Sequence, residues 1–291
     1  MGETPKLGLF SVNMRPTVEP EAAAWLGRLA EELGYESLWA GEHVVLPDPQ
    51  RPPSPMPPTE PILDPLVSLT FLAAQTTKLR LGTGIIVLPQ RNPVVLAKEL
   101  ASLDVLSGGR LLFGMGVGYL EPELAAAGVP MQDRGRRAEE YLEAMQALWT
   151  MKSPSYSGRF VSFSGVNAYP RPVQEPLPVV MGGHGPAAYR RAVERAHGWY
   201  GFRMDPAAAA FHIGKLAEAA RRFERSPELG PLEISVTPSM PLDADIVSRY
   251  AEIGVDRLIV MPPPLLDRAG LEEFVVANSP ARLSRHPATR A

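Results

Sequence analysis

Ser37 to Pro47 reads SLWAGEHVVLP: an apolar run, then Glu42 and His43 side by side, then apolar residues again. The chain has five histidines, so one set beside a carboxylate where a strand gives way to a loop is a chemical signal. An imidazole titrates near ~6.5 and can take or deliver a proton close to neutrality, and a neighbouring carboxylate can hold its tautomer. A packed histidine bonded to a backbone carbonyl is the bland alternative, and for an isolated histidine the better one. At the end of a barrel strand the balance moves towards catalysis by His43 with Glu42.

A second stretch, VVMGGHGPAAYRRAVERAHGWY, places Gly182, Gly183 and Gly185 just before a helix that starts near Pro186. Backbone N–H groups and the positive end of the helix dipole there suit a phosphate, with a ligand-free glycine turn as the alternative. His184 is expected to be exposed in that loop. His197 is expected at a helix C-terminus, where the dipole favours an imidazolium and a structural role. His212 and His286 have no evident partner. In LGTGIIVLPQRNP, Gly84 and Ile85 fall at a strand end, where glycine permits a bulge and close approach of a flat ligand, or merely a barrel-corner kink. GMGVGY offers Gly116, Val117 and Gly118 with the aromatic Tyr119, readable also as a tight turn.

Other chemistries lack their residues. Cysteine is absent, which excludes disulfides, thiolate nucleophiles and Cys-ligated zinc or iron–sulfur centres. No H-x-H or H-E-x-x-H spacing suggests a metal, no carboxylate pair demands glycoside hydrolysis, and no GxxxxGK[ST] loop is present. RLLFGMGVG lacks the full dinucleotide fingerprint. A net charge of −3 gives no electrostatic reason for nucleic acid or an anionic membrane as partner. No apolar run is long enough to span a bilayer and no signal-peptide pattern is seen, so a cytoplasmic protein is expected.

The elements that must position these residues alternate. Strands are expected at Lys6–Ser11, Ser37–Ala40, Leu79–Ile86, Arg110–Met115, Val179–Met181, Gly198–Phe202, Leu232–Thr237 and Arg257–Val260. Helices are expected at Pro20–Leu33, Asp64–Thr77, Pro93–Leu106, Asp133–Met151, Pro186–Ala196, Pro206–Arg225, Asp243–Ile253 and Ala269–Ala277. Eight strand–helix units in order imply a parallel sheet closed as a (β/α)8 TIM barrel, within the ~250 residues such a barrel needs. Gly34, Gly108 and Gly254 read as C-terminal caps, and Pro20, Pro93, Pro186 and Pro206 as first helical residues. Two irregular insertions interrupt one domain spanning 1–291, near 47–63 (PDPQRPPSPMPPTEP) and 152–178, the second with a small hairpin around Arg159–Phe163. RGRRAEEYLEAMQALW reads first as a solvated helix face and second as a dimer contact.

These stretches together resemble the luciferase-like monooxygenase superfamily, in its coenzyme F420-dependent (deazaflavin) branch. The matching pieces are GYESLWAGEHVVLP, KLRLGTGIIVLPQRNPVVLAKELASLDVLSGGRLLFGMGVGYLEPELAAAGVP, RFVSFSG, RPVQEPLPVVMGGHGPAAYRRAVERAHGWY and YAEIGVDRLIV. The resemblance implies a homodimer that binds a flavin-like ring in the barrel mouth and acts on a small-molecule substrate. His43 then neighbours the reactive face of the deazaflavin, and Glu42 stands where relatives often have Asp. Gly84–Ile85 falls where the family has a non-prolyl cis peptide behind the ring. Gly116, Val117 and Gly118 line the ring, and Gly182, Gly183, His184 and Gly185 hold the cofactor phosphate. Tyr119 stands where relatives more often have Trp. The implied reaction is hydride transfer between F420 and an organic substrate. An FMN-dependent monooxygenase and a non-catalytic cofactor-binding homologue are the alternatives.

Overall fold

The computed structural model describes residues 3–283, so His286 lies outside the described residues. Eight strands form the barrel: β1 Lys6–Phe10, β2 Ser37–Ala40, β3 Arg80–Thr83, β4 Leu111–Gly116, β5 Val179–Gly182, β6 Gly198–Met204, β7 Glu233–Pro238 and β8 Arg257–Val260. All pairings among them are parallel. β1 bonds both β2 and β8, and the β3–β4 pairing (Leu81 with Leu111) closes the ring. The eight main helices are α1 Pro20–Glu32, α2 Pro65–Gln75, α3 Pro93–Ser107, α4 Arg134–Thr150, α5 Pro186–Arg195, α6 Pro206–Ala220, α7 Ala244–Glu252 and α8 Arg268–Ala277. The fold is a (β/α)8 barrel. Its strands read as near-continuous apolar runs because both faces are covered, one by helices and one by the barrel interior.

The interior is packed. Trp39, Tyr200, Phe10, Leu112, Val180 and Ile259 fill it, and Gly82 faces the Trp39 ring so closely that a Cβ there would lie 2.4 Å from it. At the N-terminal end of the barrel the fully buried Arg257 bonds Glu36 (Nε–Oε2 2.8 Å) and Glu233 (Nη1–Oε2 3.0 Å). Burial works to raise both carboxyls, and Arg257 more than offsets it, leaving both below the ordinary carboxylate range. This cluster closes the end opposite the strand C-termini, where barrel sites are built.

Local chemistry sets the helix ends as expected. Gly34, Gly108 and Gly254 have φ of 81°, 68° and 85°, and Pro20, Pro93, Pro186 and Pro206 open their helices. Most element ends lie within two residues of those expected, and three differences are larger. The expected strand Leu79–Ile86 is broken after Thr83 by the Gly84–Ile85 peptide, which is cis, and resumes as a short pair, Ile86–Val87, beside β4. α6 stops at Ala220, and Arg225 beyond it donates to the carbonyls of Val193 (2.9 Å), Ala196 (2.8 Å) and Gly230 (2.8 Å). A six-residue helix, Glu121–Ala126, follows β4 where only a turn was expected.

The proline-rich connection between β2 and α2 is pinned at its base. Buried Asn13 donates to the carbonyls of Gly41 (2.8 Å) and Leu63 (2.6 Å) and accepts from the Gly41 N–H (3.1 Å). The second irregular stretch contains the antiparallel pair Tyr156–Ser157 and Ser162–Phe163. Its loop is held by Glu140 of α4, which accepts from Val161 N–H (2.8 Å) and Arg159 N–H (3.0 Å). The acidic face of α4 is therefore engaged rather than simply solvated. Glu139 and Glu143 bond Arg191 and Arg195 of α5.

Candidate active site at the barrel mouth

Glu42 and His43 follow β2 directly, and they part at once. The Glu42 side chain turns into the protein, where it accepts from Val87 N–H (2.6 Å), Gln90 Nε2 (3.2 Å) and Arg91 Nε (2.7 Å). Arg91 also bonds Asp64, the residue that caps α2. Burial pushes the Glu42 carboxyl up, against the pull of Arg91 and the N–H donors. Burial of Arg91 is more than offset by its two carboxylates, which raise it. The expectation that Glu42 holds the His43 tautomer is corrected here: its oxygens are already committed, and it makes no hydrogen bond to His43 among the described residues.

The carboxylate that holds His43 is Glu123, on the short helix after β4. His43 Nδ1 lies 3.0 Å from Glu123 Oε2, and the Val44 N–H donates to Glu123 Oε1 at 2.7 Å. The Glu123 side chain is 3% exposed and that of His43 11%. A carboxylate bonded at Nδ1 keeps the proton there and leaves Nε2 as the bare nitrogen. Nε2 faces the Tyr119 hydroxyl at 3.5 Å, with the two rings edge to face at a centroid separation of 6.0 Å. Tyr119 is 49% exposed, and burial with the Glu123 charge raises its phenol. Val44, Val45 and Phe202 also show exposed apolar surface around this opening.

Ile85 forms the wall of the mouth on the β3 side. Its side chain occupies space left by glycines: a Cβ on Gly116 would lie 2.1 Å from Ile85 Cδ1, and one on Gly182 would lie 2.5 Å from it. Gly84 N–H bonds the Ala40 carbonyl (2.7 Å), tying this bulge to the end of β2. Gly116, at the end of β4, and Gly182, at the end of β5, are thus brought to one residue. Gly118 carries φ 79°, and its carbonyl accepts from Arg134 Nε at 3.2 Å.

The loop before α5 turns at Gly183, with φ 118° and a Cβ position only 2.9 Å from Ala188 Cβ, so a side chain there is excluded. Gly185 precedes Pro186 with no side chain capping the helix, and a Cβ on it would meet nothing within 4 Å. This is space for a group that first-turn N–H donors can reach. His184 is exposed, yet its Nε2 accepts from Phe202 N–H (3.2 Å). His212, expected to lack a partner, lies 2.6 Å from the Tyr189 hydroxyl. His197 is corrected as well: its Nδ1 accepts from Val179 N–H at 3.1 Å, which requires an unprotonated nitrogen, and burial with nearby Arg225 lowers its titration. Its role is structural as a neutral ring, not as an imidazolium.

Among the described residues no group of three or more His, Cys, Asp or Glu could hold a metal, and no helix is long and apolar enough to cross a membrane. The mouth instead joins a flat apolar wall, a carboxylate-held imidazole and an uncapped helix N-terminus. An uncharacterized protein of Mycobacterium tuberculosis is 34% identical over 258 residues, covering 84% of this chain and 88% of that protein. The F420-dependent tetrahydromethanopterin reductase of Methanopyrus kandleri superposes with a TM-score of 0.73 at 18% identity, over 94% of this chain and 98% of that one. The EDTA monooxygenase of Chelativorans superposes with a TM-score of 0.77 at 15% identity, over 97% and 94%. The family model of luciferase-like monooxygenases matches residues 8–274, and the chain belongs to that family.

Proposed function

We propose that this protein is an F420-dependent oxidoreductase that transfers hydride between the deazaflavin coenzyme and a small organic substrate. The observation that carries the reading is His43 held at Nδ1 by Glu123, its Nε2 directed to the mouth on whose β3 side Ile85 stands. The residues present fit such a coenzyme: Ile85 backed by Gly116 and Gly182 offers a face for a flat ring, and the open space at Gly185 suits a phosphate. When bound, the deazaflavin supplies or accepts hydride at C5. The protein's part is to hold the ring against Ile85, to bind phosphate at residues 182–185 and to move one proton at His43 Nε2. Tyr119 is within reach of that nitrogen and bounds the substrate side. Glu42, as the anchor of Arg91, fixes the path of the chain on which His43 sits, and we assign it no proton transfer.

An FMN-dependent monooxygenase is the second reading, favoured by 33% identity over 132 residues, 44% of this chain, to the FMNH2-dependent dimethylsulfone monooxygenase of Pseudomonas putida. A non-catalytic cofactor-binding homologue has less support, because the His43–Glu123 pair is intact. Titration of the apo-protein with F420 and with FMN, followed by fluorescence, separates the two cofactors: tighter F420 binding is expected, and equal or tighter FMN binding would assign the protein to the second class. The same reading includes a cytoplasmic setting and a homodimer. Val67 and Phe71 of α2 and Val94 and Val95 of α3 are exposed on neighbouring helices, the kind of apolar surface that a partner covers.

A further inference from the structure

His184 within the 182–185 loop and His212 beside it have no task in hydride transfer. His184 of the loop and His212 of α6 have ring centroids 5.2 Å apart, and Trp199 of β6 lies 6.1 Å from each. The hydrogen bonds assign the protons. The Tyr189 phenol of α5 has one proton, and the His184 carbonyl oxygen 2.7 Å away can only accept, so the phenol donates there. The phenol oxygen then accepts from His212 Nδ1 at 2.6 Å, and that nitrogen must carry a proton. His212 Nε2 makes no hydrogen bond among the described residues. At His184 the Phe202 N–H occupies Nε2, so Nδ1 bears the proton and is the donor left over.

The surrounding charges are otherwise engaged. On α6, Lys215 pairs with Glu218, and Asp205 accepts from Ala208 N–H at the helix start. On α5, Arg190 and Arg191 bond Glu139, and Arg190 also bonds Glu194. Arg203, near the end of β6, is the remaining cation on the strand that carries Trp199 and Phe202. No carboxylate bonds either imidazole among the described residues. Burial lowers both rings from the ordinary histidine value, and at His184 the His212 charge adds to it. Both rings are therefore neutral at pH 7.5, one offering an N–H and the other a bare nitrogen.

We propose that His184 and His212 form an anion subsite for the phosphate-bearing part of the cofactor, with His184 donating from Nδ1 and His212 donating from Nε2 after taking up one proton from solvent. This rests on the cofactor reading above and adds to it a proton that is consumed on binding. The sign follows from linkage: affinity falls up to tenfold per pH unit as pH rises between the free and bound titration points of His212.

Isothermal titration calorimetry at pH 7.5, in two buffers of different ionisation enthalpy, counts that proton. F420, FMN and riboflavin are the probes; the FMN phosphate monoester (second pKa ~6) is already dianionic at this pH and the F420 phosphodiester carries one fixed charge, so a proton taken up belongs to the protein. Uptake of about one proton is expected with F420 and FMN and none with riboflavin, which lacks the phosphate. His212→Gln should abolish the uptake and weaken both phosphate-bearing ligands about tenfold at pH 6.5, leaving riboflavin unaffected. His212→Arg, charged at every pH, should restore affinity without any uptake. Wild-type binding with no proton taken up overturns the inference, as does uptake that persists in His212→Gln or appears with riboflavin. Tighter FMN than F420 with uptake intact supports the subsite and overturns only the choice of cofactor. Binding of neither phosphate-bearing ligand overturns both.

Discussion

Replacing Glu123 by Gln keeps the shape of the site and reverses one proton. The carboxylate now accepts from His43 Nδ1 at 3.0 Å and from Val44 N–H at 2.7 Å. A glutamine can still offer its carbonyl oxygen to Val44, but its NH2 group then meets His43 Nδ1 as a donor. The imidazole must answer by moving its proton to Nε2, the nitrogen that faces the mouth. Each bond also loses its charge assistance, roughly 1 kcal/mol apiece, so stability should fall by about 2 kcal/mol and Tm by about 3 °C. Activity should fall much further, because in the carbonyl-reducing direction Nε2 must deliver a proton from the imidazolium, and an amide N–H facing Nδ1 disfavours that cation. A loss of kcat by ~10²–10⁴ is expected, the range of a general acid–base residue and of the analogous carboxylate-to-amide change in a hydrolase triad. Affinity for the cofactor should be nearly unchanged. The assay is oxidation of reduced F420 with a carbonyl or enone substrate found by screening, alongside thermal melting. His43→Ala should cost at least as much, and the double variant no more than His43→Ala alone, since both act through one proton. Near-normal turnover of a folded Glu123→Gln protein would refute this reasoning, as would additive losses.

Three further outcomes are expected. Gly185→Val should leave Tm within about 2 °C, since a Cβ there meets nothing and the local φ of −121° suits any residue, yet weaken F420 binding at least tenfold by filling the space a phosphate needs; unchanged affinity would remove the loop from the cofactor site. Arg257→Met should destabilise the barrel by ~3 kcal/mol, because two partly buried carboxylates lose their cation, and lower Tm by ~5 °C. Glu36 and Glu233 are held below their ordinary values, so the stability they contribute is present above ~4.3 and lost as pH falls through their folded values; the wild-type and variant melting curves should converge in acid, and a constant gap from pH 7 to 3 would contradict the assignment. If the chain is the homodimer proposed above, Val67→Asp with Val95→Asp should render it monomeric in sedimentation velocity; a monomeric wild type would overturn the dimer, and a variant that stays dimeric would place the interface elsewhere.

The fold was legible in the sequence because the barrel strands are largely buried on both faces and several helices open at a proline or end at a glycine with a backbone reason to be there. Glycines at positive φ and prolines lacking an N–H mark ends whatever packs around them. The Gly84–Ile85 bulge was legible for a different reason: the residues around it resemble a family in which that feature recurs. The partner of His43 was not legible from adjacency. Neighbouring residues in extended chain point to opposite sides, so Glu42 and His43 could not share one site however close in sequence. Glu42 went to Arg91 on the β3 side, and His43 went to a carboxylate eighty residues on. A signal for that carboxylate did exist. In YLEPELAAAG, Leu120, Glu123 and Leu124 stand at i, i+3 and i+4, the spacing of a buried helical stripe, and all three are buried. A glutamate placed on such a stripe must find donors inside the protein, because leaving it unpaired costs more than a surface position would. The same reasoning separates His212 from an ordinary helix-surface residue: its partner, Tyr189, lies on a different helix, and only the packing of α6 against α5 brings the phenol to its ring.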